Sequence, residues 1–532
     1  MKKSMKKGLV LLLMLVMTVS FAGCGSSGGG SDAGEEVIFR IGSSTGFDTF
    51  NALTTNSMEV YEWLNLCYDS LIAFDDDYNA VPRAAEKWTV SEDGLTWTFY
   101  LRDDIKFNDG EPLTSADVKY TYEVAVDSYM YSMHAMGFSS IECPDDYTVV
   151  FNCEEPKADM LYQIIPILPE HIWSQQEDVL TFEPETLVGS GPFIYSPERS
   201  GNGSKTFVKN TEYWGRQPSI DALVFTEYDN NDAMAQALKI GEIDACNRLE
   251  KTQMDTLQGE EGIEVGAYTA FGFEFLAYNL LDPITADKTV RYAIDYCFDK
   301  ELAVEMSYGG LAVPAYGSIS NEGFQYVPSE KRDLDIDKAN ELLDEAGYLD
   351  TDGDGIREMN GTPLSIELTT ASERTSWQSA TVDMMITNCA KAGIEITWNP
   401  IEKTVMWDTC CDGNPDWQLF IEGWGGEVDP GSIMCIYLDY EDGDGCAGVS
   451  YQNPEFDELY YAQSAAIDKD ERLELLNEAQ ELIYEDCPYT FICYDQIVQA
   501  VNGSKWTGFS ANSNGFFLNE KIDNYLNIKP AA

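Results

Sequence analysis

Residues 81–122 read VPRAAEKWTVSEDGLTWTFYLRDDIKFNDGEPLTSADVKYTY, and three kinds of local signal agree along this one uninterrupted stretch. Leu95, Trp97, Phe99 and Leu101 alternate with Thr96, Thr98 and Tyr100, which is the period of a half-buried strand. Asp93-Gly94 supplies the turn from a preceding strand at 87–90, so the pattern predicts a β-hairpin. After a second Asp-Gly turn at Asp109-Gly110, Thr114 stands three residues before Asp117. Its hydroxyl is placed to cap a helix whose Val118, Thr121, Tyr122 and Ala125 share one face.

The chain has 532 residues, more than one hydrophobic core usually holds, which predicts two or more domains. Hydrophobic residues at 44% and aromatics at 12% are enough to fill sizeable cores. The 92 acidic residues against 33 basic ones give a formal charge of −59, and repulsion from phosphates excludes nucleic acid as a partner. Such an excess of acid favours solubility outside a cell, and it tolerates cationic ligands better than anionic ones. No internal repeat is evident.

Residues 1–23 read as a targeting segment. Lys2, Lys3, Lys6 and Lys7 form a basic region, residues 9–19 an apolar core too short to span a bilayer comfortably, and Phe21-Ala22-Gly23-Cys24 ends in small residues. The segment resembles a bacterial lipoprotein signal, which implies a lipid on Cys24 that anchors the protein at the extracellular face of the membrane. Residues 24–36 are a Gly/Ser-rich flexible tether. Beyond Cys24 the 12 remaining cysteines form no CxxC pair, so neither a zinc ribbon nor a thioredoxin motif is present. Cys435 with Cys446, or Cys487 with Cys493, are close enough in sequence to bridge, and buried free thiols are an equal alternative.

Pro82, Ala85-Glu86, Trp88, Ser91-Glu92-Asp93-Gly94 and Phe107-Asn108-Asp109-Gly110 together resemble the signature region of the extracellular solute-binding proteins of family 5, which serve oligopeptide, dipeptide and nickel ABC importers. Further matches follow in order: Val188-Gly189-Ser190-Gly191-Pro192-Phe193, Gly241-Glu242-Ile243-Asp244, and Tyr278-Asn279 with Asp287, Val290, Arg291 and Ala293. The resemblance covers about residues 37–510. It implies an α/β, two-lobed periplasmic-binding-protein-like fold (type II, cluster C-like) with an extra β-rich subdomain. Lobe I is expected over 37–74, 188–275 and 500–532, the peripheral subdomain over 75–187, and lobe II over 276–499.

The same resemblance implies a monomer that captures oligopeptides or dipeptides between its lobes and delivers them to a permease driven by a separate ATPase. Relatives hold nickel chelates, opines or oligosaccharides on this scaffold, so an oligosaccharide or other small solute stays open. Nickel is disfavoured because His134 and His171 are the only histidines. In the peptide-binding members a carboxylate just after Gly-Trp takes the ligand's free amino group, since a desolvated ammonium needs a fixed anion. Glu427 best matches that position and Asp429 comes next. Trp424, Tyr278, Asn279, Ser44 and Thr45 are the other residues expected at the cleft, with Ser44 and Thr45 equally readable as turn residues.

Asp350, Asp352 and Asp354 open like a calcium loop, but Gly361 stands where an EF-hand needs a bidentate Glu, and Glu358 is the nearest replacement. A structural calcium ion and a plain acidic turn both remain readings of that loop; no other cofactor is expected. Gly203-Ser204-Lys205-Thr206 lacks the Gly-Lys spacing of a phosphate loop, and Ser190 lacks the flanks of a nucleophile elbow. Two histidines and no nucleophile motif argue against a hydrolase.

Overall fold

The 81–122 stretch folds into strands Ala85–Val90 and Thr96–Leu101 and helix Ser115–Ala125. The strands pair antiparallel with Trp88 opposite Phe99 and Val90 opposite Trp97, and Gly94 takes φ +71° at the turn between them. Trp97 and Phe99 point inward and are fully buried. Strands Thr148–Cys153 and Phe138–Asp145 complete a four-stranded sheet. At the helix start the Asp117 carboxylate accepts the Thr114 backbone N–H at 2.8 Å and its hydroxyl at 3.0 Å. Val118, Thr121, Tyr122 and Ala125 form the buried face.

The computed structural model describes residues 36–532 apart from 56, 76–77, 129–130, 202, 321–323, 411–415, 427, 439–448 and 510–521. Within them the β-rich subdomain has no separate core. Trp97, Phe99 and Phe151 belong to one apolar cluster with Phe39, Trp63, Phe225 and Tyr525 of lobe I. Val428 of lobe II, 3% exposed, belongs to that cluster too. Beside it the Lys469 ammonium reaches Asn79 at 2.8 Å, and the Arg472 guanidinium lies 5.2 Å from the centre of the Tyr162 ring.

The first helix is Met58–Asn65. Its continuation is taken by the Gly189-Ser190-Gly191 turn, where Gly191 N–H donates to the Cys67 carbonyl at 2.9 Å and Phe193 N–H to the Leu66 carbonyl at 3.1 Å. A Cβ on Gly189 would stand 2.0 Å from the Cys67 oxygen, which is why glycine is required there. Ser190 is fully buried and its Oγ accepts the Asp69 N–H at 3.1 Å, the role of a turn residue.

One twelve-stranded mixed sheet runs through both lobes. In lobe I, Ile38–Ser43 lies parallel between Ala222–Glu227 and Ala245–Leu249. In lobe II, Ser365–Ala371 lies parallel between Glu395–Ile401 and Leu419–Gly425, and Gly272–Tyr278 adds antiparallel. The two halves meet in Tyr489–Asn502, 14 residues long. Its first part pairs with Gly272–Tyr278, and its second with Ile263–Thr269 and Ala245–Leu249. Helices such as Asn231–Ile240, ended by Gly241 at φ +74°, and Lys288–Cys297, with Val290, Ala293, Ile294 and Cys297 inward, flank the strands. The α/β two-lobed architecture expected from the resemblance is therefore the one observed.

Cys487 and Cys493 are free thiols, so that expected bridge is not formed; Cys446, the other candidate partner for Cys435, lies outside the described residues. Among the described residues no helix is long and apolar enough to cross a membrane. Lobe II encloses a charged knot in which Asp295, 1% exposed, meets Lys300 at 3.2 Å and Arg332 at 2.6 Å. Removing a buried anion strands its cations in a medium that solvates them poorly, so Asp295→Ala is expected to lower stability by about 3–5 kcal/mol in denaturant unfolding. Loss of under about 1 kcal/mol would show that water reaches the knot.

Candidate functional site

Loops at the carboxyl ends of parallel strands form the ligand crevice of open α/β sheets. Arg248 lies beside such an end in lobe I, while Arg374 and Trp424 do so in lobe II. A cavity of about 320 Å3 is lined by Tyr78, Arg248 and Tyr268 from the first lobe and by Glu274, Arg374 and Trp424 from the second. A second cavity of about 530 Å3 adjoins it, sharing Arg248, Asp495 and Ile497. Asp495 and Ile497 belong to the long strand that joins the lobes, so the cleft sits on the hinge.

Local backbone geometry aims the side chains. The pairing of Gly272–Tyr278 with the long strand shifts register between Glu274 and Phe275, a bulge of the kind that re-aims a side chain. Gly272 takes φ +102°, and a Cβ there would stand 2.2 Å from the Trp424 carbonyl oxygen. A Cβ on Gly423, opposite Glu274 in the register, would stand 2.5 Å from the Glu274 carboxylate. Gly423 thus makes the room that Glu274 occupies, and Gly272 lets its strand close against the Trp424 carbonyl.

Charge in the cleft is crowded. Arg374 Nη1 lies 2.7 Å from Glu422 Oε1 and 3.3 Å from Glu274 Oε2, and Lys403 stands 4.0 Å from the other Glu422 oxygen. Arg248 pairs with Glu59 at 3.5 Å. Burial, opposed by Arg374 and reinforced by Glu422 and Asp495, pushes Glu274 up to about 7. Burial likewise raises Asp495, against the pull of Arg248. The Trp424 ring stacks on Phe275 at 6.3 Å and 12°, and its buried Nε1 has no hydrogen-bond partner among the described residues.

Several expected residues lie elsewhere. Tyr278 is fully buried inside lobe II, its hydroxyl 2.7 Å from Thr490 Oγ1 and 3.3 Å from the Arg291 carbonyl. Asn279, equally buried, donates to the Trp417 carbonyl at 2.8 Å and accepts the Leu281 N–H at 2.9 Å. Both are enclosed within lobe II, their polar atoms taken up by Thr490 and by the surrounding backbone. Asp429 is also withdrawn. It pairs with Arg472 at 2.8 Å and faces a separate cavity of about 300 Å3 with His134, Lys157 and Asp159. Burial raises its pKa against the pull of Arg472.

Ser44 is exposed and Thr45 half-buried; neither lines the cleft cavity, and Ser43 Oγ accepts the Thr45 N–H at 3.1 Å as a turn residue does. Glu427 lies outside the described residues. Trp424 is the expected residue that the structure does place in the cavity wall. Carboxylate oxygens of Asp350, Asp352 and Glu358 lie within 4.8 Å of one another, whereas Asp354 accepts its own turn's Ile356 N–H at 2.8 Å. His171 meets Asp109 at 2.8 Å and His134 meets Asp159 at 3.7 Å, two separate pairs in the peripheral subdomain.

Glu274 and Arg374 were missed in the sequence, yet each leaves a trace. Glu274 is a lone carboxylate in the apolar run Phe273-Glu274-Phe275-Leu276, and Arg374 follows a strand by three residues.

A family model described as bacterial extracellular solute-binding proteins, family 5 middle, matches residues 79–445. The chain belongs to the bacterial extracellular solute-binding proteins, family 5. Among curated members, protein XP55 of Streptomyces lividans is 28% identical over 506 residues, covering 92% of this chain and 88% of its own. The oligopeptide-binding protein AppA of Bacillus subtilis is 24% identical over 518 residues, covering 93% and 94%. Among solved structures, AppA of Bacillus subtilis in complex with a nonapeptide superposes with a TM-score of 0.72 at 23% identity, covering 93% of this chain and 100% of that one. HbpA2 of Haemophilus parasuis gives 0.80 at 19% identity with the same coverage.

Folded Glu274 keeps its proton at pH values where an unfolded chain, with an ordinary carboxyl near 4.5, has lost it. Its contribution to stability is therefore present below about pH 4.5 and is lost as pH rises through about 7. Thermal unfolding of Glu274→Gln is expected to show the variant gaining on the parent by about 1–3 kcal/mol between pH 5 and pH 8. A gap that does not change with pH would contradict this assignment.

Proposed function

We propose that this protein is the ligand-capturing component of an ABC importer and that its ligand is an oligopeptide or dipeptide. The observation that carries the reading is a cleft on the hinge whose two walls, one from each lobe, present fixed charges of both signs: Arg248 and Arg374 with Glu274 and Asp495. A zwitterionic chain with many backbone donors and acceptors fits such a wall better than a neutral sugar does. The oligopeptide-binding relative from Bacillus subtilis, alike over nearly its whole length, supports the same choice. Glu427, beside Trp424 and Gly426, is the proposed anchor for the ligand's free amino group.

Closure of the lobes about the long strand buries the ligand, and the closed form is the one a membrane permease with its ATPase accepts. The protein acts as a monomer held at the extracellular face of the membrane by a lipid on Cys24, through the Gly/Ser tether. It releases its ligand chemically unchanged, and no catalytic step is assigned to it.

Native mass spectrometry of gently purified protein is expected to show a ladder of peptide masses that disappears in Glu427→Ala. A single sugar mass would overturn the peptide reading and retain transport. In cell fractionation, Cys24→Ala is expected to move the protein from the membrane to the soluble fraction; a protein that stays on the membrane refutes the lipid anchor.

A further inference from the structure

Among the described residues, the charged groups at and behind the cleft cavity include more carboxylates than cations. Glu274 and Asp495 line it with Arg374 and Arg248, and behind them stand Glu422, Glu59 and Glu62 with Lys403. They come from the strands carrying Arg248, Glu274, Glu422 and Asp495, the helix with Glu59 and Glu62, the turn with Arg374 and the helix start with Lys403. Tyr308 and the Cys493 thiol close the inner side, and burial holds both neutral. Arg374 is shared between two carboxylates, and Glu422, 1% exposed, has no hydrogen-bond partner for its Oε2 among the described residues, with Lys403 4.0 Å away. Glu274 is 14% exposed, so little water reaches it to compensate.

The shape of the cavity agrees with its charge. At about 320 Å3 it is at the small end of ligand pockets, which run from about 300 to 1,000 Å3. Tyr78, Tyr268, Phe273 and Trp424 line it, surfaces along which an alkyl stem can lie while its charged head reaches the acids. We propose that this cavity receives a basic side chain, lysine or arginine, of the bound peptide, and that Glu274 is the residue that selects it. The proposal rests on the peptide reading above and adds a substrate class to it: cationic peptides. The incoming cation supplies the missing positive charge, and the proton that Glu274 held in the empty cleft leaves to solvent, so charge and proton balance.

The test uses the full-length protein and isothermal titration calorimetry with tetra-alanine peptides. One residue in turn is replaced by lysine or by its neutral Nε-acetyl form. At pH 7.5 a lysine peptide is expected to bind at least tenfold more tightly than its acetylated twin. Its affinity is expected to fall about tenfold by pH 6, where the proton must be displaced, while the acetylated peptide's affinity stays nearly flat. Titration in buffers of different ionisation enthalpy should show net proton release with the lysine peptide alone, a wild-type measurement that needs no variant to fold. In Glu274→Gln the lysine preference should shrink to about twofold. Equal binding of lysine and acetyl-lysine peptides, absent proton release, or a preference that survives Glu274→Gln would overturn the proposal while leaving peptide binding in place. Binding by none of the peptides would overturn the peptide reading itself, and this proposal with it.

Discussion

The strand Tyr489–Asn502 is the constraint on which the two-lobed structure depends. It is hydrogen-bonded to lobe II through Gly272–Tyr278 and to lobe I through Ile263–Thr269 and Ala245–Leu249. A linker of loop residues could be slack; a strand bonded on both sides at both ends cannot, because each broken ladder bond leaves polar backbone to be satisfied elsewhere. Relative motion of the lobes must therefore be bending and twisting of a continuous sheet, with register kept. Asp495 and Ile497, midway along it, line both cavities. The ligand site and the pivot are one place, and anything bound there touches the element that has to bend.

Scarcity of cations organises the interior. With 33 basic residues to 92 acidic ones, a buried carboxylate has to be met by a scarce base or by backbone donors, as Asp117 is. Asp69 has Arg83 at 2.8 Å, Asp295 has Lys300 and Arg332, and Asp429 has Arg472. Each of these groups is enclosed together with its base. The cleft is where the allotment falls short, and that shortfall distinguishes a place built for a visitor from one built for stability.

Local physics made much of the fold legible. The period-2 run at 95–101, the Asp-Gly turns and the Thr114–Asp117 cap depend on near neighbours, and they appear as read. What depended on distant chain was not legible. The first helix stops at Asn65 because a turn more than a hundred residues later takes its carbonyls. Tyr278 and Asn279 follow a cleft strand in sequence, but tertiary packing turns both into the lobe II interior. Asp429 looked free until Arg472, 43 residues on, came to lie against it. Of the expected cleft residues, Trp424 stood where a strand runs into glycines, and that local signature was sufficient.

Val428 carries a consequence beyond packing. It is a lobe II side chain housed in the apolar core of lobe I, well removed from Glu274 in chain and surroundings. Any opening of the cleft that withdraws it must hydrate that side chain, a change worth about 1.5 kcal/mol or more. Hydration of apolar surface carries a positive heat capacity, so the balance between open and shut acquires a temperature dependence of its own. The heat capacity of ligand binding will accordingly contain a share that comes from this docking valine and not from the ligand, and cooling will loosen the closed form even with the solute unchanged.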